Sequence, residues 1–177
     1  YLKEVETKKR LITKRIDGQS SADLIKKMLE QSDNEAWSAL KDELGRNNLN
    51  KYAKSIGLTS FNAEDNLINT NDMALLLEKL SSGKLLNSDH TNIVMSHMAK
   101  SIKNYIKPGL TSNEKVYHKA GWLDDRFMDA AIVEGNQSKY VLVIFSKTPT
   151  DDYDFNKAKE LFSDITQKIN SALNSKI

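Results

Sequence analysis

The 177-residue sequence contains no cysteine, two prolines and no long hydrophobic run. Without thiols it forms no disulfide, no thiolate nucleophile and no cysteine-ligated metal site. No stretch approaches the roughly 20 apolar residues a membrane helix needs, and nothing at the start reads as a signal peptide. An excess of one charge is lacking too. Lys and Arg number 26 against 24 Asp and Glu, leaving a net charge of +2, so charge makes no case for nucleic acid or a membrane surface. The longest basic cluster, Lys8, Lys9 and Arg10 with Lys14 and Arg15 close by, reads as a solvated helix end. What is present, 39% hydrophobic and 28% charged residues, is an ordinary globular composition. It suffices for one domain or two lobes sharing a core.

Apolar spacing divides the chain in two. Residues 1–107 read as all helix. Tyr1–Val5 look like the interior of a helix without a preceding cap, as in a fragment or processed form, and that helix is expected to fade near Thr13. Ser21 is expected to cap a helix with Leu24, Ile25, Met28 and Leu29 on one face. Ser32, Asp33 and Asn34 interrupt it, being better in turns and caps than in helix interiors. Ala36, Trp37, Leu40 and Leu44 form the next stripe, closed by Gly45. A short helix over Leu49–Ile56 stops at Gly57. Residues 59–71 read as a polar loop. Thr70 or Asn71 then caps a helix with Met73, Leu76, Leu77 and Leu80. A further helix is expected over Asp89–Ile106.

From residue 108 the pattern changes. Val116–Trp122, Asp129–Glu134 and Tyr140–Ser146 are short runs of β-branched and aromatic residues, with a hairpin signal at Gly135-Asn136-Gln137-Ser138. Thr150 and Asp151 are expected to cap a last helix whose stripe is Phe155, Ala158, Leu161, Phe162, Ile165, Ile169, Ala172 and Leu173. The fold class is α+β: a helical lobe (1–107) joined to antiparallel strands with a helix packed on them (108–177).

Two short patterns carry the chemistry. Ser32-Asp33-Asn34 lies between two helices. His118-Lys119-Ala120-Gly121-Trp122 lies on a strand before a hairpin and a terminal helix. Either alone is weak, since Ser, Asp and Asn cluster in any turn. In this order and setting they resemble the Ser-Asp-Asn and Lys-Thr-Gly motifs of class A β-lactamases and related DD-peptidases, the penicillin-recognising serine hydrolases. The resemblance covers nearly the whole chain, including Thr70–Leu86. It implies acyl transfer through a serine nucleophile. Ser32 would relay the proton, since a hydroxyl both donates and accepts. Lys119 would place a fixed positive charge beside the substrate carboxylate. Asn34 would present its carboxamide to the substrate, and Asp33 would brace the turn. Gly121 would let the substrate backbone lie flush on the strand, and the Trp122 N–H would serve as an oxyanion donor.

Three departures bear on activity. Ala120 stands where the family usually has Thr or Ser, removing a hydroxyl from carboxylate recognition. Glu64 is the sole glutamate in the 59–71 loop, where a β-lactamase keeps its deacylating base, and it lacks the Leu-Asn that follows that base. The letters Ser-x-x-Lys occur at Ser38–Lys41, Ser81–Lys84 and Ser112–Lys115, but none precedes Ser32 on a buried helix. Tyr1–Glu6 resembles the tail of the nucleophile's helix, so the nucleophile is expected before Tyr1 and two strands of the family's sheet are expected to be absent.

The implied partners are a β-lactam or cell-wall peptide. No nucleic acid, metal or cofactor is expected; His90, His97 and His118 lack metal-ligand spacing. Association through an unpaired sheet edge is a further expectation, and the implied location is extracytoplasmic. A DD-peptidase with poor deacylation, or a non-catalytic binding domain on the same fold, are the alternatives.

Overall fold

The computed structural model describes residues 1–123, 125–135, 138–148 and 154–174. Three of its helices build the lobe that holds the Ser-Asp-Asn turn: α1 (Leu2–Glu6), α2 (Ser21–Gln31) and α3 (Asn34–Leu44). Leu2, Ile16, Leu24, Ile25, Ala36 and Leu40 form their common core. Three more helices follow: α4 (Arg46–Ser55), α5 (Thr70–Ser81) and α6 (Ser88–Met98). A single 3₁₀ turn at Lys107–Gly109 leads to a sheet of β3 (Lys115–Leu123), β4 (Arg126–Glu134) and β5 (Lys139–Lys147), and α7 (Phe155–Asn174) closes the fold. The sheet is antiparallel in the order β3-β4-β5. The mixed α+β architecture is therefore the expected one.

Central strand β4 explains how the layers join. Its alternate residues enter two cores. Phe127, Ala131 and Val133 pack with Ala158 and Phe162 of α7. Ala130 and Ile132 pack with Leu77 and Leu80 of α5 and with Met95 and Met98 of α6. Burial on both faces makes β4 apolar between its charged ends, Arg126 and Glu134, apart from Asp129.

Several boundaries move from their sequence expectation, each for a local reason. Helix α1 ends at Glu6 rather than near Thr13. The stretch expected to be wholly helical contains a small hairpin, β1 (Arg15–Ile16) with β2 (Gln19–Ser20), turning at Asp17-Gly18. Ser20, not Ser21, caps α2 by accepting from the Asp23 N–H. Ser21 is fully buried instead and donates to the Ile12 carbonyl at 2.6 Å. Asn69, not Thr70 or Asn71, caps α5. Helix α6 stops at Met98 rather than Ile106.

The buried side of α7 is also rotated from the expected stripe. It runs Ala158, Phe162, Thr166 and Asn170, while Leu161, Ala172 and Leu173 are exposed. Thr166 can be buried because its hydroxyl donates to the Phe162 carbonyl. Asn170 can be buried because it bonds Glu114 and Tyr140. The Thr150–Asp151 cap and the hairpin residues Asn136 and Gln137 lie outside the described residues.

The 59–71 loop is fastened by Asp72, which accepts from the Ser60 N–H at 2.6 Å and the Ser60 hydroxyl at 2.8 Å. The Ser60 backbone N–H, then the Ser60 hydroxyl, hold the Asp72 carboxyl below its ordinary value, against desolvation. A depressed folded value means the stabilisation is present above the unfolded value and is lost as pH falls through the folded one. Replacing Asp72 with Asn is therefore expected to flatten the acid limb of a plot of Tm against pH. An unchanged limb would exclude Asp72 as a contributor.

Candidate active site

The Ser-Asp-Asn turn is shaped by two helix ends meeting. Ser32 follows α2 in the left-handed conformation, with φ 56° and ψ 38°, a region non-glycine residues seldom occupy. The tight reversal that results lets Asp33 start α3 at once. Asp33 caps it, its carboxylate accepting from the Ala36 N–H at 2.8 Å. Asp33 thus braces the turn, and Ser32 is turned toward the sheet. Asn34, the first residue of α3, is exposed, and its side chain makes no hydrogen bond among the described residues.

Lys119 reaches this turn from β3. Its ammonium donates to the Ser32 hydroxyl, and to the Ala120 carbonyl at 2.9 Å. The contact joins residues 87 positions apart, so the fold itself brings the two motifs together. Burial lowers the Lys119 ammonium below the usual lysine range; Asp129 opposes the shift and Lys103 adds to it. A partly desolvated cation beside a hydroxyl stabilises negative charge developing there.

Alternation along β3 sorts the rest of the motif. Tyr117, Lys119 and Gly121 face the helical lobe. Val116, His118 and Ala120 are buried on the α7 side. The structure therefore places the Ala120 methyl in the core with Phe127 and Phe162, while the Ala120 carbonyl accepts from Lys119. A Cβ added at Gly121 would meet Met128 Cε at 3.7 Å, an ordinary contact. Internal packing does not require glycine there. Trp122 is half-exposed at the end of the motif, edge-on to Phe155 at 6.5 Å between ring centroids.

His118 is completely buried with Asp129. Its Nδ1 lies 3.1 Å from Asp129 Oδ1 and its Nε2 lies 3.2 Å from the Ser101 carbonyl. The second Asp129 oxygen accepts from the Tyr105 and Ile106 N–H groups at 3.1 and 3.3 Å. This network pins segment 99–107 beside β3 and went unread in the sequence. The one available signal was Asp129 standing directly before the apolar run Ala130–Val133. Lys103, carried by that segment, also went unread.

The other candidates are placed elsewhere. Glu64 is largely exposed, with an ion pair to Arg46 at 3.0 Å. His90 and His97 pair with Glu6 and Glu30 at 3.1 and 2.8 Å. Among the described residues no group of His, Asp and Glu is arranged to hold a metal. A cavity of about 700 Å³ opens between α5 and the start of β5, near Leu75, Glu78, Ser81 and Tyr140. It contains none of Ser32, Asn34, Lys119 or Gly121; the candidate site is the open outer edge of β3 facing the α2–α3 turn.

This arrangement of helical lobe, antiparallel sheet and closing helix is shared by solved structures of PBP-A and of class A β-lactamase variants. The structure of PBP-A matches with a TM-score of 0.88 and 20% identity over 98% of this chain and 76% of that one. A PBP-A point mutant, solved as an acyl-enzyme complex with penicillin G, matches equally well. A variant of the class A β-lactamase of the last common ancestor of Gram-negative bacteria, bound to a nitrobenzotriazole transition-state analogue, matches with a TM-score of 0.86 and 18% identity over 99% of this chain and 80% of that one. The sequence as a whole matches no curated protein. Residues 6–173 match the model of the beta-lactamase enzyme family, and the chain belongs to that family.

Proposed function

We propose that this chain carries the proton-relay and substrate-binding half of a serine acyl-transfer site acting on a β-lactam or a peptidoglycan-like amide. The observation that carries the reading is the hydrogen bond from Lys119 to Ser32, which links the two motifs. In the proposed reaction a serine hydroxyl adds to the carbonyl carbon and the C–N bond breaks. The nucleophile's proton reaches the leaving nitrogen through Ser32, which can accept and donate in turn. Lys119 holds Ser32 in place and favours the negative charge that builds during transfer. The exposed Asn34 carboxamide is free to meet the substrate amide. Gly121 leaves the face of β3 clear for an extended ligand, and the Trp122 N–H supplies one oxyanion donor.

Slow deacylation, as in a DD-peptidase, is favoured over efficient β-lactam hydrolysis because Glu64 is held in an exposed pair with Arg46 rather than set in a dry site as a general base. The family and the wall-peptide substrate together support an extracytoplasmic location.

Nitrocefin turnover and labelling by a fluorescent penicillin test the assignment. None of the three Ser-x-x-Lys serines lies on β3 or in the α2–α3 turn. The 177-residue chain is therefore expected to bind benzylpenicillin reversibly, without turnover and without covalent label. Label mapped to Ser32 would make Ser32 the nucleophile and overturn its relay role. Absence of any penicillin binding would favour a domain that keeps the fold for another purpose.

A further inference from the structure

Helices α2 and α6 are in contact, with Leu29 of one and Val94 of the other packed on the same core. Their carboxyl ends meet at a charged pair. Glu30, in the last turn of α2, receives His97 from the last turn of α6, with Nδ1 2.8 Å from Oε1. The carboxyl end of a helix carries partial negative charge, which favours a cation and disfavours a carboxylate. The last turn of α2 has no basic residue of its own, so the imidazolium form of His97 supplies the charge that Glu30 needs there. Glu30 is engaged through its backbone too. Its carbonyl accepts from the Ile102 N–H at 2.9 Å, just before the chain kinks at Lys103, whose φ is 64°.

Three contacts then close a circuit where the lobe meets the sheet. Glu30 and His97 join α2 to α6. The Ser101 carbonyl, just past the end of α6, meets His118 of β3 at 3.2 Å. Lys119, next on β3, donates to the hydroxyl of Ser32, the second residue after Glu30. A shift of the α2 end against α6 is therefore a shift of Ser32 against Lys119. The His97 hydrogen bond, joined by the charges of His97, Lys26 and Lys100, holds the Glu30 carboxyl below its ordinary value, against desolvation. The stabilisation from that carboxylate is lost as pH falls through its depressed value. The attraction to an imidazolium is lost at the other end, as pH rises through the histidine range. From β3, His118 is engaged by Asp129 and Lys119 by Ser32.

We propose that His97 and Glu30 are positioning residues for Ser32: their ion pair fixes the end of α2 so that the Ser32 hydroxyl stands where Lys119 reaches it, and ligand is held best on the acid side of neutrality, where imidazolium and carboxylate coexist. This deepens the acyl-transfer reading of the site and rests on it.

The test titrates benzylpenicillin into the 177-residue chain between about pH 5 and 8, reading affinity from the NMR shifts of Ser32 and Lys119 and following His97 through its ring Cε1–H. Wild-type affinity is expected to fall about two- to fivefold, the yield of a partly exposed ion pair, with the midpoint of the His97 ring signal. Glu30→Gln is expected to weaken binding by the same factor at the acid end and to flatten the profile. The sign of that change is decisive, because removing a negative charge would by itself tighten the binding of an anion. His97→Lys, which keeps a cation, is expected to bind as wild type does at the acid end and to lose the pH response. His90→Gln removes the other histidine–glutamate pair of α6, with Glu6 at 3.1 Å, and is expected to leave the profile unchanged. Binding by Glu30→Gln as tight as wild type or tighter, or a profile altered equally by His90→Gln, overturns the proposal; the acyl-transfer reading survives if the ligand still shifts Ser32 and Lys119. Silence of Ser32 and Lys119 toward the ligand in wild type overturns that reading and the proposal with it.

Discussion

Replacing His118 with alanine is expected to cost about 2–5 kcal/mol of folding stability, because it opens a cavity in the core and takes a partner from the buried Asp129 carboxyl. Both His118 and Asp129 are completely buried. The two ring nitrogens of His118 face a carboxylate and a carbonyl. Without it the Asp129 carboxylate stays buried with only two backbone N–H groups. The Asp129→Ala variant is expected to lose at least as much, because it strands three donors: the His118 ring and the N–H groups of Tyr105 and Ile106. Each stranded donor costs roughly 1–3 kcal/mol. Urea unfolding of the two single variants and the double variant measures this. The double variant should lose less than the sum, since the singles remove the same contact. A loss below about 1 kcal/mol in either single variant would mean the pair is not what fastens segment 99–107.

Gly109→Ala is expected to destabilise by a comparable amount, for a steric reason. A Cβ at residue 109 would lie 2.3 Å from the Ser163 carbonyl oxygen, 2.7 Å from Thr166 Cβ and 2.9 Å from the Gln167 N. Two of these are backbone atoms of α7, so no side-chain rotation relieves the clash. The helix must move away from the sheet, opening the core around Phe162 and Phe127. Overpacking usually costs about 1–3 kcal/mol, occasionally more, and contacts this short place Gly109→Ala at or above the top of that range. Gly121→Ala is the matched control, because its Cβ meets a single flexible methionine at 3.7 Å. Thermal unfolding should separate the two by many degrees. Equal Tm values would contradict the close approach of α7 to the 3₁₀ turn.

Much of the fold was legible because its signals were local. The change from helical to alternating spacing near residue 108 marks where the lobe gives way to the sheet. The two motifs were legible for the same reason: each is contiguous and sits at a recognisable junction. What escaped notice depends on partners distant in sequence. Residues 99–106 carry helical spacing, yet Asp129 takes the Tyr105 and Ile106 N–H groups and His118 takes the Ser101 carbonyl. Those side chains compete directly with the helix's own hydrogen bonds, and in a buried setting they prevail. Lys103 was invisible for the same reason, since a lysine inside an expected helix gives no hint of a left-handed kink. The rotated face of α7 follows a related rule. Thr166 and Asn170 are polar, and their burial depends on Phe162, Glu114 and Tyr140 completing their hydrogen bonds.

The central claim is that ligand binds where the α2–α3 turn meets the edge of β3. Backbone NMR of the 177-residue chain titrated with benzylpenicillin tests it most directly, because a second receptive surface, the cavity between α5 and β5, provides an internal alternative. The account predicts that the largest shifts fall on Ser32, Asn34, Lys119 and Gly121. Shifts confined to residues around Leu75, Ser81 and Tyr140, with the Ser32–Lys119 region silent, would contradict it.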